Sequence, residues 1–501
     1  MKRISVIDIG SNSIRLVIVD INNEYFKVID EFKETVRLGK DINKNGSLCS
    51  KRMKKAIDTL GFFKKLCDEL SVDEIIAIAT EAVRKASNRE EFIRNVYRET
   101  QINIEIIDGN MEAYYDFLGG INSLNISDCL MIDIGGASTE LIEVRNKQIK
   151  NSISFPFGAL SLAEKFKLSG KGCMINESHL KDYIKEFFIK APWIKNIRGI
   201  PLVGIGGTVR NIAKIHRRKI KYPFDTIHNY QMTPEQVKEI YNFVVCKTIS
   251  SRKKVKGLSI DRIDIFPNAV SVVNAVIEYC NISEIYVSSK GLRDGILYSY
   301  ILKDNSILDD VLDFSLRNIM INYNVNIVHA ERVLNMCLSL YTQLKSLIKA
   351  PRDFSKILKV SSLLHDCGIT LDYHNHHKHS FYMILNSSLY GLCHKDILIS
   401  AYIAALHRKH DFVLTEPYHK KLIKREELQI IEKLGVLLQI SESLDRGLNG
   451  NVERADVIID ESSVTLKLHS KNDSSLEINE ALIASDKFKK LFKKKLIIVG
   501  D

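Results

Sequence analysis

Short apolar runs alternate with amphipathic stretches along the first 300 residues. Residues 4–9 and 16–21 are strand-like runs separated by a Ser-Asn-Ser turn, and residues 25–39 form a third. From Lys51 to Leu70, Met53, Ile57, Leu60, Phe63 and Leu66 recur at helical spacing, which predicts a helix burying one face. Residues 74–80 read as a buried strand, 89–100 as a polar amphipathic helix, and 102–108 as a strand running into Gly109. A second cycle opens at Leu130, where "LMIDIG" and "TELIEV" flank a Gly-Gly turn as the first pair flanks Gly-Ser-Asn-Ser. It continues with a strand at 200–208, a helix from Val209, a strand at 284–297 and a connection at 300–310. This alternation predicts an α/β layer structure. Beyond it the pattern is mostly helical to about residue 450. Residues 455–470 then read as two strands and 486–496 as a basic amphipathic helix. That last helix sets six lysines around Phe488, Leu491, Phe492 and Leu496. Its stripe either packs on the C-terminal domain with the lysines solvated, or docks on a membrane surface or a polyanion.

Composition narrows the class. A chain of 501 residues, 45% hydrophobic and 27% charged, is a soluble globular protein with room for about three domains. No uninterrupted apolar run is long enough to span a bilayer, and Asp8 interrupts the N-terminal run too early for a signal peptide. Nine scattered cysteines without a CxxC pair predict reduced thiols in a cytoplasm. The net charge is +11, and residues 1–300 hold 45 Lys and Arg against 36 Asp and Glu. Histidine is skewed the other way, with 11 of 14 beyond residue 300, so two chemistries are expected.

The first chemistry lies in three Gly-containing turns, Asp8–Ser13, Asp133–Thr139 and Gly204–Thr208, each following an apolar strand. Open α/β folds place ligands there, and glycine lets backbone N–H groups approach a phosphate. Candidate phosphate contacts are Gly10, Ser11, Asn12 and Ser13, then Gly135, Gly136, Ala137, Ser138 and Thr139, then Gly206, Gly207 and Thr208. Asp8 and Asp133 can face each other across a cleft and hold Mg²⁺, or Mn²⁺ in its place. Arg15 and Arg84 are candidate phosphate clamps, because guanidinium forks match phosphate oxygens. Arg262 and Arg293 are weaker candidates, either of which can instead form an internal ion pair. The basic excess of this half suits a polyanionic ligand.

In this order the turns resemble the actin–hexokinase–heat-shock ATPase superfamily. With "ATEAVRKASN" (79–88), "GNMEA" (109–113), "DRIDI" (261–265) and "GLRDGIL" (291–297), residues 1–300 resemble the exopolyphosphatase / guanosine pentaphosphate phosphohydrolase (Ppx/GppA) family. The resemblance implies two actin-like (ribonuclease H-like) α/β subdomains, 1–122 and 123–303. They are followed by an all-α HD-like domain, 304–450, and a small α+β tail, 451–501. It implies Mg²⁺-dependent removal of the terminal phosphate of inorganic polyphosphate. The alternative in the same fold is hydrolysis of guanosine pentaphosphate in the stringent response. Glu112 aligns with the family's catalytic glutamate, and Asp133 and Glu140 complete the catalytic set. Ala137 replaces a third glycine of the family's second loop, and Met111 replaces the first of its paired glutamates. Those departures keep open a weakly catalytic polyphosphate or nucleotide sensor. A homodimer is implied, with no nucleic-acid partner and no membrane association.

The second chemistry is histidine-based. "LLHDCG" (363–368) sets His365 and Asp366 side by side on a helix, where both can reach one metal. His329 and Asp445, from separate helices, can complete N₂O₂-type ligation of a second divalent metal. The order H…HD…D resembles the HD superfamily of metal-dependent phosphohydrolases, and "HHKHSFYMILNS" (376–387) and "ALHRKH" (405–410) continue the match.

Overall fold

The first set of apolar runs becomes β1 (Lys2–Ile9), β2 (Ser13–Asn22), β3 (Tyr25–Thr35), β4 (Glu74–Ala79) and β5 (Ile104–Ile106). The computed structural model describes residues 1–42, 46–169, 173–303, 306–408, 412 and 421–500. These strands form one sheet of order β3-β2-β1-β4-β5, antiparallel through the β1–β2–β3 meander and parallel from β1 to β5. Helix α1 (Ser50–Glu69) buries Met53, Ile57, Leu60 and Phe63 against Ile7, Ile9, Ile14 and Leu16, as its periodicity predicts. Helix α2 (Arg89–Thr100) packs beside it through Phe92 and Val96.

The second cycle repeats the topology. Strands β6 (Cys129–Ile134), β7 (Thr139–Arg145), β8 (Gln148–Phe155), β9 (Leu202–Ile205) and β11 (Ile285–Val287) lie in the order β8-β7-β6-β9-β11. One added strand, β10 (Tyr230–Met232), runs antiparallel at the far edge. Two sheets of matching order make this half α/β, the ribonuclease H-like arrangement expected from the sequence.

Two helices are exchanged between the sheets. Helix α3 (Gly109–Ile121) follows the first sheet but packs Ala113, Phe117 and Leu118 on Met131, Ile142 and Val203 of the second. Helix α4 (Gly206–Lys219) and helix α5 (Phe266–Cys280) cover the opposite face of that second sheet. Helix α6 (Leu292–Leu302) then returns to β1, and its Tyr298 packs edge-on against Phe26 of β3. Where α3 meets α6, a Cβ on Gly119 would strike the Gly291 backbone and one on Gly295 would strike Tyr115 O. Only glycine allows backbones so close.

Several predicted elements shift. The run at 284–297 is a strand only to Val287; from Leu292 it is α6, started where Asp294 Oδ2 accepts from Gly291 N at 3.2 Å. Helix α4 begins at Gly206, three residues before the expected Val209, because the Gly-rich turn is itself the first helical turn. Cys173 and Cys246 are joined as a disulfide, against the expectation that every thiol is reduced. Their Cα atoms stand 5.7 Å apart, within bridging range, and seven other cysteines are free.

The chain divides into two compact units, Met1–Val311 and Leu312–Asp501. Residues 304–305, where the sequence places a domain boundary, lie outside the described residues. The second unit is helical through α7 (Ile327–Gln343), α8 (Ser355–Leu364), α9 (His376–Asn386), α10 (His394–Ala405) and α11 (Arg425–Ser443). It ends in a three-stranded sheet, β12 (Val452–Ile459), β13 (Ser463–Ser470) and β14 (Lys495–Val499). The basic terminal helix, α12 (Ser485–Phe492), stops earlier than predicted. Lys493 takes a left-handed φ of 58°, and Leu496 and Ile498 then alternate inward as a strand paired parallel to β13. Phe488 and Phe492 are buried and stacked, so the apolar stripe is used inside the unit. No described helix is long and apolar enough to cross a membrane.

Candidate active site

Each sheet ends its first strand in an Asp followed by a Gly-containing turn. The hairpin register sets Asp8 directly opposite Arg15 and Asp133 directly opposite Glu140, so each pair shares one face. In the first turn Gly10 N donates to Ser13 O at 3.2 Å. The carbonyls of Ser11 and Asn12 accept from Gly39 N (2.9 Å) and Arg37 N (2.8 Å). In the second turn the carbonyls of Gly135 and Gly136 accept from Ala159 N (2.9 Å) and Leu160 N (2.8 Å). With their carbonyls tied elsewhere, the turns keep amides and hydroxyls for an anion. The loops also touch: a Cβ on Gly136 would stand 2.7 Å from Ser11 Cβ.

The third turn closes the space. Gly206 has φ of +75°, and a Cβ there would collide with Asp133 Oδ1; one on Gly207 would collide with the Arg262 guanidinium. The N-terminus of α4 therefore opens on the same cavity, of about 110 Å³. That terminus adds partial positive charge.

Acids and guanidinium groups line this cavity together: Asp8, Glu112, Asp116, Asp133 and Asp294 with Arg15, Arg210, Arg262 and Arg293. Burial raises the Asp8, Asp133 and Glu112 carboxyls, and neighbouring guanidinium groups work against it in each case. Burial also pushes Arg210 down to about 10. Glu140 lies behind Asp133, 1% exposed, accepts from Ser154 Oγ at 2.8 Å and is pushed up to about 8 by burial and by Asp133. Glu112 projects from the first turn of α3, but it does not cap the helix: Asp108 does, accepting from Met111 N at 2.8 Å. Glu112 Oε2 is buried without a hydrogen bond, as are Asp116 Oδ1 and both polar atoms of the Asn12 side chain.

The structure thus brings Asp8, Gly10 to Ser13, Arg15, Glu112, Asp133, Gly135, Gly136, Ser138, Gly206 and Gly207 to one cavity. Five sequence candidates stand outside its lining, among them Glu140, already placed behind Asp133. Arg84 does not reach the cavity: it binds Glu81 and Ile107 O and stands 3.5 Å from Glu112 Oε2, behind the acid. Thr139 donates to Phe157 O at 2.7 Å, which ties its hydroxyl into the fold. Thr208 is fully buried on α4, and its hydroxyl makes no hydrogen bond. Ala137 is buried and does not take a left-handed φ, so its methyl is accommodated without backbone strain. Met111, the other departure, points outward and is 39% exposed.

Asp116 and Arg210 escaped the sequence reading. Asp116 follows Glu112 by four residues, on the same face of α3, and Arg210 follows Gly206 by four on α4; helical spacing is the signal that finds both. Asp116 is raised well above the usual carboxylate range by burial and by Asp133, Glu140, Glu112 and Asp8. Such a group either stays protonated or shares a cation. If the cavity takes a divalent cation, Asp116→Asn is expected to lower turnover roughly tenfold and to raise the cation concentration needed for half-maximal rate. An unchanged cation requirement would leave Asp116 a buried protonated carboxyl.

In the second unit His329 Nδ1 bonds Asp445 Oδ2 at 2.8 Å, and His365 Nε2 lies 3.5 Å from Asp366 Oδ2. His329, His365 and Asp366 converge, while Asp445 is turned to His329 and Gly450 N and does not join their group. His376 and His407, not nominated as ligands from sequence, join Asp366 from its other side. Lys409 and His410 of "ALHRKH" lie outside the described residues.

A model of the Ppx/GppA phosphatase family matches residues 17–304. The chain belongs to this family. A second model, Ppx/GppA phosphatase domain III, matches residues 311–488. The family makes the protein a hydrolase of phosphoric anhydrides. A guanosine-5′-triphosphate,3′-diphosphate pyrophosphatase of Aeromonas hydrophila is 25% identical over 476 residues, 93% of this chain and 92% of that one. A bifunctional 3-dehydroquinate synthase/phosphatase of Fusobacterium nucleatum is 30% identical over 295 residues, and the match covers 56% of this chain and 44% of that relative. The chain therefore spans less than half of that relative's length. The crystal structure of an exopolyphosphatase from Cytophaga hutchinsonii is similar with a TM-score of 0.57 and 28% identity. It covers 61% of this chain and 100% of that one.

Proposed function

We propose that the protein is an exopolyphosphatase, removing the terminal phosphate of inorganic polyphosphate as orthophosphate. The observation that carries this reading is the cavity itself. Three anion-ready turns and four guanidinium groups surround a space whose lining includes no aromatic ring among the described residues. That suits a run of phosphoryl groups better than a purine. The net positive first 300 residues would draw a polyanion toward the opening.

The orphaned oxygens of Glu112 and Asp116 and the carboxyls gathered around them fit a hard divalent cation. Asp8 and Asp133 would hold it, with Asp116 beside them. When bound, it neutralises the charge that builds on the phosphoryl oxygens. Glu112 then takes a proton from the attacking water as the water oxygen bonds to the terminal phosphorus. The bridging P–O bond breaks, its electron pair stays with the shortened chain, and orthophosphate leaves. Burial raises Glu112 toward the working pH, where a carboxylate is a useful general base. Amides and hydroxyls at Gly10–Ser13, Gly135–Ser138 and Gly206–Gly207, with Arg15 and Arg210, would hold the phosphates in line.

The second reading is guanosine pentaphosphate hydrolysis, favoured by the near full-length match to a relative of that name. Orthophosphate release from long-chain polyphosphate and from guanosine pentaphosphate, each with Mg²⁺, separates the two. Faster release from the nucleotide would replace our reading, and binding without release from either would make the protein a sensor. Homodimerisation, Mg²⁺ as the working ion and an HD-like nature for the helical unit remain parts of the proposal.

Stability should depend on pH in a definite direction. Glu140 and its neighbours titrate higher folded than unfolded, so the folded state holds extra protons between the two values. Their stabilising contribution is complete below the ordinary carboxylate range and is lost as pH rises toward about 8. In chelator, the urea midpoint is expected to fall between pH 5 and pH 8, and Mg²⁺ at pH 8 should restore it. A midpoint that rises with pH in chelator would contradict the buried acid cluster.

A further inference from the structure

One imidazole in the first unit joins two parts of the fold that carry the reaction. His228 stands just before β10, where Asn229 takes a left-handed φ of 56° and its N donates to Val287 O at 2.8 Å. That turn sets the ring beside the end of β11. On one side Nε2 lies 2.9 Å from Ser123 O; on the other, Ser289 N donates to Nδ1 at 3.3 Å. A carbonyl oxygen only accepts and a backbone N–H only donates, so Nε2 carries the hydrogen and Nδ1 the lone pair. The neutral ring satisfies both partners in this one tautomer.

Both partners lead into the active cavity. Ser123 closes the end of α3, its Oγ donating to Gly119 O at 2.7 Å, and α3 carries Glu112 and Asp116. Ser289 itself lines the cavity, followed by Gly291, Arg293 and Asp294. The amides of this turn are held in different ways. Ser288 N donates to Gly204 O (2.8 Å), Lys290 N to Ser288 Oγ (3.0 Å) and Gly291 N to Asp294 Oδ2 (3.2 Å). Of these four amides, only that of Ser289 relies on a side chain distant in sequence, 61 residues away. The turn also meets α3 at close quarters, since a Cβ on Gly291 would stand 3.2 Å from Asp116 Oδ1. A small shift of the turn therefore changes the spacing between Arg293 and the acids of α3.

We propose that His228 is a positioning residue for the hydrolysis. Its Nδ1 fixes the Ser289 amide, and with it the turn that presents Ser289 and Arg293, in register with the helix that presents Glu112. The ring stands outside the cavity lining, so its effect reaches the phosphates through that turn. An amide deprived of its acceptor turns to water or to another oxygen, and the turn moves with it. The inference rests on the active site described above and holds for either phosphoric anhydride as substrate.

Two substitutions separate the roles of the ring nitrogens. In His228→Asn the side-chain oxygen replaces Nδ1 and keeps the acceptor for Ser289 N. In His228→Gln the side-chain amide nitrogen replaces Nε2 and keeps the donor for Ser123 O. The substrate is whichever of polyphosphate and guanosine pentaphosphate the wild type hydrolyses. His228→Gln is expected to lower kcat about tenfold with KM within about twofold of wild type, while His228→Asn keeps kcat within about threefold. Hydrogen exchange across residues 287–293 should quicken in His228→Gln and stay near wild type in His228→Asn. Equal kcat in wild type and His228→Gln would overturn the proposal. So would an equal loss in both variants, which would make the ring a brace for the fold alone. A wild type that releases orthophosphate from neither substrate rejects the functional reading instead, and exchange then judges the clamp by itself: unchanged protection in His228→Gln rejects it.

Discussion

With polyphosphate as the proposed substrate, Glu112→Gln is expected to reduce orthophosphate release by about 10³-fold while leaving affinity within a few fold of wild type. The amide keeps the volume and one acceptor oxygen but cannot take the proton of water. The surroundings isolate that effect. Asp108 already caps α3, so the helix does not depend on Glu112, and Glu112 Oε2 has no hydrogen bond to lose. The change also removes an acid that burial and Glu140 hold well above its ordinary range, so the folded state should be no less stable at neutral pH. Single-turnover release and equilibrium binding of one polyphosphate length check both halves of the expectation. Turnover within a few fold of wild type would dismiss Glu112 as the base.

Gly206→Ala carries the second largest effect, and it acts through geometry. The residue sits at φ of +75°, which costs an L-residue about 1–2 kcal/mol, and the added Cβ collides with Asp133 Oδ1. Relief requires either the first turn of α4 or the Asp133 carboxylate to move. Either movement separates the α4 terminus from the acid it faces, and a displacement of about 1 Å at such a site costs about 10²-fold in rate. Turnover should fall by at least that factor, with a higher requirement for the proposed cation. Gly199→Ala serves as the comparison: its φ is +67° with nothing within 4 Å of a Cβ, so it pays backbone strain alone. Equal turnover in the two variants would show that the contact with Asp133 has no part in catalysis.

The strands before the three turns, and the turns themselves, were legible because short apolar runs ending in Asp and Gly leave a strong local pattern. Glu112 was reached only through family resemblance; nothing local separates it from a helix-capping acid. Asp116 was hidden by its place on an apolar helix face, where a single acid reads as a boundary residue, and Arg210 by a helix start placed three residues late. Arg84 was over-read, since its guanidinium is taken by Glu81 of its own short helix and by Ile107 O beyond β5. In the second unit the H…HD…D spacing was visible. The contact of His376 with His407 was not, because it brings together ring nitrogens 31 residues apart in sequence. The end of α12 was missed because Lys493, Lys494 and Lys495 carry the helix's lysine pattern across the turn to the start of the strand.

The exchange of α3 and α6 has a consequence for how the hydrolase can be divided. The helix bearing Glu112 rests on the sheet bearing Asp133, while the helix bearing Arg293 lies against the sheet bearing Asp8. A cut near residue 122 leaves α3 an amphipathic orphan, and the first sheet loses the cover that arrives only at residue 292. The two α/β repeats therefore behave as interlocked halves of one cooperative fold, and the reaction centre comes into being only after some 300 residues have been laid down.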